Sequence, residues 1–367
     1  MPQIRELLSP ILDFNPGLMV HGPHLIRFPQ LVPKLALNYF KLVALKRDVL
    51  RSVDVSVTFD CQCLCEHCYS DYEKDPGRER LSVREMKNVL DQCLDLGAIV
   101  LNFAGGEPLV EPNIFEYLDH VKPHRGLTTM MTNAIRLSPE VAKELKRVRL
   151  YAMGVSVDSD NADVHDRSRR YKGAHEKALE GIQNARALGI MVMMNSIVTQ
   201  EKIDDGTIDR LQEFASEERL LLNLCFPAAV GRQARFEPEV LRPDSFQWIQ
   251  GLLRKPHVRW DGQSNWLKEG CGAGIEKISI STYGDVIPCA VIQSSFGNLR
   301  ERPLGDIWTD MKKIRQYNEL GPVCLAARDT EFHDKYMTKI NKYYEEHGVL
   351  PAPASVVYGE STPSASS

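Results

Sequence analysis

No stretch of this chain approaches the ~20 consecutive apolar residues that a membrane-spanning helix needs. No secretory signal stands at its start, and no internal repeat shows beyond an alternation of strand and helix patterns. Neither sign of charge dominates, since 45 Lys and Arg face 49 Asp and Glu for a net charge of -4. The expectations are a protein of a reducing, cytoplasmic compartment rather than a disulfide-stapled secreted one, and no nucleic-acid partner. At 367 residues the chain can bury a large core and form one big domain with a smaller one. Nine cysteines in such a chain point to metal ligation.

Four of those cysteines crowd into Asp60–Tyr69, DCQCLCEHCY. Disulfides do not pack four cysteines into eight residues, and a zinc site would need a second Cys or His pair close by. Cys61, Cys65 and Cys68 stand as C-x3-C-x2-C. Three thiolates at that spacing hold three irons of a cubane cluster. No fourth cysteine follows at a fitting distance, so one iron keeps an open site. Cys63 reads as a non-ligand between them.

The cluster loop follows Val53–Phe59, whose alternation of apolar and polar residues has the period of a strand. Ser82-x-x-Glu85 is a capping box that opens a helix, with Cys93 on its apolar face. Further strands are expected at 99–103, up to 132, and at 151–157, 190–198 and 220–226, with helices between them. Six strands joined by helical crossovers mean a parallel α/β sheet. Several strand ends carry motifs: Gly105-Gly106-Glu107-Pro108-Leu109, Thr132-Asn133, Ser156-Val157-Asp158, and then His165-Asp166-x-x-Arg169.

Together with the cysteines, these motifs resemble the radical S-adenosylmethionine (SAM) superfamily over residues 53–235. The resemblance implies a partial (β/α)6, TIM-like barrel with chemistry at the C-terminal strand ends. It implies a SAM-binding 4Fe-4S cluster on Cys61, Cys65 and Cys68, reductive cleavage of SAM to a 5′-deoxyadenosyl radical, and abstraction of a substrate hydrogen atom. It also places Gly105, Gly106, Glu107, Pro108, Asn133, Ser156, Asp158 and Arg169 around SAM. The glycines would let backbone approach the ligand, and Glu107 either accepts from the SAM ammonium or holds the loop. A reductant such as flavodoxin or ferredoxin is the implied partner.

Residues 236–268 read as a mixed helical linker. Residues 269–346 then resemble the SPASM or twitch extension of these enzymes: Cys271, a β-hairpin turning at Gly284-Asp285, Cys289, a helix near Trp308, and Cys324. By resemblance Cys271, Cys289 and Cys324 bind a second, auxiliary 4Fe-4S cluster. Its fourth cysteine is missing; Asp329, Glu331, His333, Asp334, solvent or substrate could take that iron. Residues 347–367, rich in Pro, Ser and Ala, read as a disordered tail.

Residues 1–52 form an N-terminal helical segment in which Leu31–Leu50 is apolar with dispersed lysines. The ordinary reading is a helix that packs its apolar face on the barrel and snorkels its lysines. The sharper one is a helix on a membrane surface or along a lipid-like substrate path. Three functions stay open. The first is a radical SAM enzyme that oxidises, cross-links or rearranges a small metabolite, lipid or peptide, its second cluster accepting an electron or binding substrate. The second is a redox-neutral epimerase with Cys225 as hydrogen donor, a thiol whose ordinary place is the core. The third, an iron–sulfur electron carrier, needs no SAM pocket.

Overall fold

The structure is a computed structural model that describes residues 28–232, 241–260, 266, 270–314, 317 and 324–359. Helix α1, Val32–Val43, comes first. Strand β1, Ser52–Thr58, follows, and every residue in it is buried. Its apolar face packs on helices and its polar face looks into a barrel lumen, so both faces leave water. The Ser82 capping box then starts α2, Val83–Asp95, with Ser82 Oγ accepting from Glu85 N–H at 3.3 Å and Glu85 accepting from Ser82 N–H at 2.7 Å. Cys93 lies buried on its inner face.

The alternation continues as expected. It runs through β2, Val100–Gly105, α3, Ile114–His120, β3, Leu127–Thr132, and α4, Pro139–Arg147. Strand β4, Ala152–Ser156, leads to two helices, α5, Ala162–Arg169, and α6, Ala174–Ala187. Then come β5, Met191–Ile197, α7, Thr207–Glu217, and β6, Leu221–Cys225. All neighbouring strands in this series pair in parallel. The expected α/β partial barrel is present.

The stretch expected as a mixed helical linker holds a strand as well as a helix. It contributes α8, Pro243–Leu252, and β7, Val258–Trp260, which pairs in parallel with β6. Three residues are too few to show strand periodicity, which hid β7 in the sequence. The C-terminal hairpin forms from β8, Lys277–Ile280, and β9, Val286–Ile287. Strand β8 also pairs in parallel with β1, so the hairpin extends the barrel sheet, in the order β7-β6-β5-β4-β3-β2-β1-β8-β9. Its turn needs Gly284 at φ 92° and is braced by a two-pronged pair from Arg78 to Asp285 at 2.7 and 2.9 Å.

Strand β10, Ser294–Ser295, precedes α9, Leu304–Met311, and α10, Thr338–His347. Residues 352–358, expected within a disordered tail, are instead ordered. They form β11, Ala352–Pro353, which pairs with β10, and α11, Ala354–Tyr358. Val357 is wholly buried, and burying one valine stabilises by roughly 1.5–3 kcal/mol. Composition alone missed this anchor because its apolar residues are few but well placed. Residues 360–367 of that expected tail lie outside the described residues.

Candidate active site

A cavity of about 380 Å³ opens at the C-terminal ends of the strands. Cys61, Cys63, Cys65 and Cys68 line it, and so do Cys271, Cys289 and Cys324. No three Cys, His, Asp or Glu side chains among the described residues converge as a single bound ion would need. A cubane does not ask for that, because each thiolate takes a different iron.

The first set carries the donors that cluster thiolates use. Asn133 Nδ2 donates to Cys61 Sγ at 3.6 Å, Arg169 Nη1 to Cys65 Sγ at 3.6 Å, and the Cys63 N–H to Cys61 Sγ at 3.4 Å. Such bonds offset thiolate charge and tune cluster potential. Cys63 is buried beside Cys61 and Cys65. The residues present therefore fit a three-thiolate cluster.

The loop after β2 is fused to the cluster loop. Gly106 N–H donates to Thr58 O at 2.7 Å and Glu107 N–H to Asp60 O at 2.9 Å. A Cβ on Gly105 would overlap the Thr58 carbonyl oxygen, and one on Gly106 the Asp60 carbonyl oxygen. The two glycines line the cavity, yet what demands their lack of side chain is backbone packed on backbone.

Glu107 is wholly buried and takes no part in the cavity lining, and neither does Pro108. The Glu107 carboxylate accepts from Thr132 Oγ1 at 2.7 Å, Asn133 N–H at 2.7 Å and Leu109 N–H at 3.0 Å. These bonds hold the loop after β2 to the end of β3. Asn133 is thereby fixed between Glu107 and Cys61, and its Oδ1 accepts from Gln62 at 3.2 Å.

Ser156, Asp158 and Arg169 all reach the cavity. Arg169 Nη2 pairs with Asp158 Oδ2 at 2.6 Å, and Lys202 Nζ lies 3.4 Å from Oδ1. Burial alone would raise the Asp158 carboxyl, but the Arg169 and Lys202 charges hold it well below the usual carboxylate range. Burial pushes His67, 3.6 Å from Asp158, down to about 3, so it stays neutral beside this pair. Asp158 N–H donates to His165 Nδ1 at 3.0 Å, which ties the strand end to α5. Asp158 thus aims Arg169 as well as facing the cavity.

Cys225 lines the cavity instead of packing in the core. It is two residues from Asn223 on β6, and both point into the lumen. Asp54, Asn102, Asn195, Asn223, Lys277 and Arg232 also line it. They were missed in the sequence, although for Asp54, Asn102, Asn195 and Asn223 a polar residue inside an apolar strand was a usable signal. Asn195 Oδ1 and Arg232 Nε have no hydrogen-bond partner among the described residues, as ligand-binding groups would have before loading. Asp329, Glu331, His333 and Asp334 do not line the cavity. Asp329 instead caps Phe332 N–H at 2.8 Å.

Residues 55–215 match the Radical SAM superfamily, and residues 271–330 match SPASM, an iron-sulfur cluster-binding domain. Residues 55–215 are thus a radical SAM domain, followed by a SPASM domain. This radical SAM protein is 25% identical over 309 residues to an AdoMet-dependent heme synthase of Methanosarcina barkeri, across 75% of this chain and 87% of that one. It is 28% identical over 284 residues to the mycofactocin maturase MftC of Mycobacterium tuberculosis, across 72% and 71%. In fold it is similar to Streptococcus suis SuiB bound to precursor peptide SuiA, with a TM-score of 0.60 at 16% identity over 76% of this chain and 68% of that one. As a radical SAM enzyme with a SPASM domain it uses SAM, a SAM-binding 4Fe-4S cluster and further iron–sulfur ligation.

Proposed function

We propose that this radical SAM enzyme removes two electrons from its substrate, one by hydrogen-atom abstraction and one by transfer to a second cluster. The observation that carries this is that both cysteine sets line one cavity. Cys61, Cys65 and Cys68 are assigned to the SAM-binding cluster, and Cys271, Cys289 and Cys324 to the auxiliary one. When bound, SAM and the first cluster supply the radical that abstracts hydrogen. The chain's own residues position and shield. Glu107 fixes the loop that carries Asn133, Asp158 aims Arg169, and Ser156, Gly105 and Gly106 close the SAM side of the cavity. The reductant proposed is of the flavodoxin or ferredoxin class.

The substrate is proposed to carry hydrogen-bonding groups, which Asp54, Asn102, Asn195, Asn223 and Arg232 would meet across the lumen. A peptide fits that description, and SuiB, similar in fold, is seen with a precursor peptide. A heme-type macrocycle with polar substituents fits it too, in line with the heme synthase relative.

One observation favours a second reading. The Cys225 thiol faces the cavity, where it can return a hydrogen atom to a substrate radical in a redox-neutral reaction. Solvent deuterium in the product decides: incorporation at the attacked carbon supports the donor role, and its absence supports oxidation.

The cleavage assignment has its own test. Under anaerobic reducing conditions the protein is expected to form 5′-deoxyadenosine, Cys65→Ala to form none, and Cys63→Ala to retain most of it. Full activity in Cys65→Ala would sink the assignment.

A further inference from the structure

Helix α1 is mounted inside out. Its polar side chains face the protein. Lys34 Nζ donates to the carbonyl oxygens of Leu94 at 2.8 Å, Ala98 at 2.7 Å and Arg125 at 2.6 Å. Buried Asn38 donates to Gly97 O at 2.8 Å, and Tyr39 packs edge-on against Trp266. The reason lies in the surface beneath. The last turn of α2 and the loops entering β2 and β3 present carbonyls with acceptor capacity to spare, Leu94 O taking the Gly97 N–H at 3.2 Å, and a lysine ammonium satisfies several at once. The expectation that α1 packs its apolar face on the barrel is therefore reversed.

The outward face consists of Val32, Pro33, Ala36, Leu37, Phe40, Val43 and Ala44, all exposed, with Leu45 just beyond. Val32, Leu37, Phe40, Val43 and Leu45 are 47–63% exposed and are five of the nine exposed large apolar side chains among the described residues. No charged residue interrupts this face. At its end Lys41 is half-buried while Lys46 and Arg47 are exposed, and no acidic residue occurs between 28 and 47.

We propose that α1 is a membrane-surface anchor whose apolar face enters the interface of an anionic bilayer, with Lys41, Lys46 and Arg47 on the headgroups. Apolar residues with a basic fringe are the chemistry of a helix lying in that plane. No helix among the described residues is long and apolar enough to cross a membrane, so contact is from the surface. A second copy of the chain fits less well. Twelve residues of helix are about 18 Å long, a narrow strip beside the ~800 Å² per partner of a stable dimer. Self-pairing would also bring like charges together. The loops under α1 enter the strands, whereas the cavity opens where the strands end. The barrel would therefore stand with its foot on the lipid and its active site free.

The test is co-sedimentation of the full chain with vesicles of phosphatidylcholine alone and of phosphatidylcholine mixed equally with phosphatidylglycerol. The expected result is binding to the anionic vesicles on the order of tenfold tighter or more. Binding should fall by a similar factor in the double variant Leu37→Gln, Phe40→Gln, and in Lys46→Gln with Arg47→Gln. These variants should keep the wild-type melting temperature and 5′-deoxyadenosine formation, since none touches the cavity. In a separate variant, Phe40→Trp emission should shift to the blue on anionic vesicles only. Absence of sedimentation with either vesicle, or binding that ignores all four substitutions, would overturn the proposal. So would a dimer in light scattering that the Leu37, Phe40 variant splits. Phe40→Trp emission already blue in a vesicle-free monomer would assign the face to another part of this chain and overturn it too.

Discussion

Glu107 organises the site without touching the cavity. Its carboxylate spends its acceptor capacity on Thr132, Asn133 and Leu109, so it holds the β2 and β3 loop ends in register. A glutamine there must aim an N–H₂ at one of these donors. Glu107→Gln is expected to destabilise by about 1–3 kcal/mol, the cost of leaving a buried group unsatisfied, read as a lower melting temperature. The folded variant should bind SAM within about tenfold of wild type, because 1.4 kcal/mol of indirect loss is one decade. A hundredfold loss of SAM binding at unchanged melting temperature would instead put Glu107 on the ligand. The cysteines and the glycine-glutamate motif were legible because residue type and spacing express them. The task of Glu107 was not, because its partners are a side-chain hydroxyl and a backbone N–H, 25 and 26 residues away. Cys225 was equally hidden: which face of β6 looks inward depends on strand pairing.

Between elements, the cluster loop is locked to the C-terminal region through a buried carboxyl. Glu73 ends the short helix after Cys68 and accepts from Gln293 Nε2 at 3.0 Å, while the same Nε2 contacts Tyr69 O at 2.8 Å. Burial, with Asp285 adding, pushes the Glu73 carboxyl up to about 8. Its folded pKa lies above its unfolded one, so its contribution is fully present below about pH 4.5. It is lost as pH rises through about 8. Glu73→Gln keeps an acceptor without the titration. It should melt close to wild type at pH 5 and higher than wild type at pH 8, by up to about 4 kcal/mol in stability. Equal melting differences at both pH values would mean that Glu73 does not titrate in this window. At this scale the sequence showed the strand-helix alternation of the barrel, since helix and strand periods differ over lengths of five residues or more, but it placed neither α3 nor α5. It missed β7 and β11, too short for a period, and it reversed α1. Amphipathicity says that a helix has two faces, and only the carbonyls under Lys34 say which one is inward.

For the whole molecule, the decisive arrangement is a sheet that runs from β7 through β1 into β8 and β9. Pairing of β8 with β1 brings Cys271 and Cys289 to the cavity that the Cys61–Cys68 loop borders. Cys324 arrives from the segment before the last helices. The motifs named both cysteine sets, but their convergence on one space depends on that long-range strand pairing. The most direct measurement is iron per chain after anaerobic reconstitution, taken together with 5′-deoxyadenosine formation, in wild type and in the triple variant Cys271→Ala, Cys289→Ala, Cys324→Ala. Two cubanes predict about eight irons in wild type and about four in the variant, with SAM cleavage surviving in part. An unchanged iron content in the triple variant would show that the C-terminal cysteines hold no cluster and would contradict the two-cluster account.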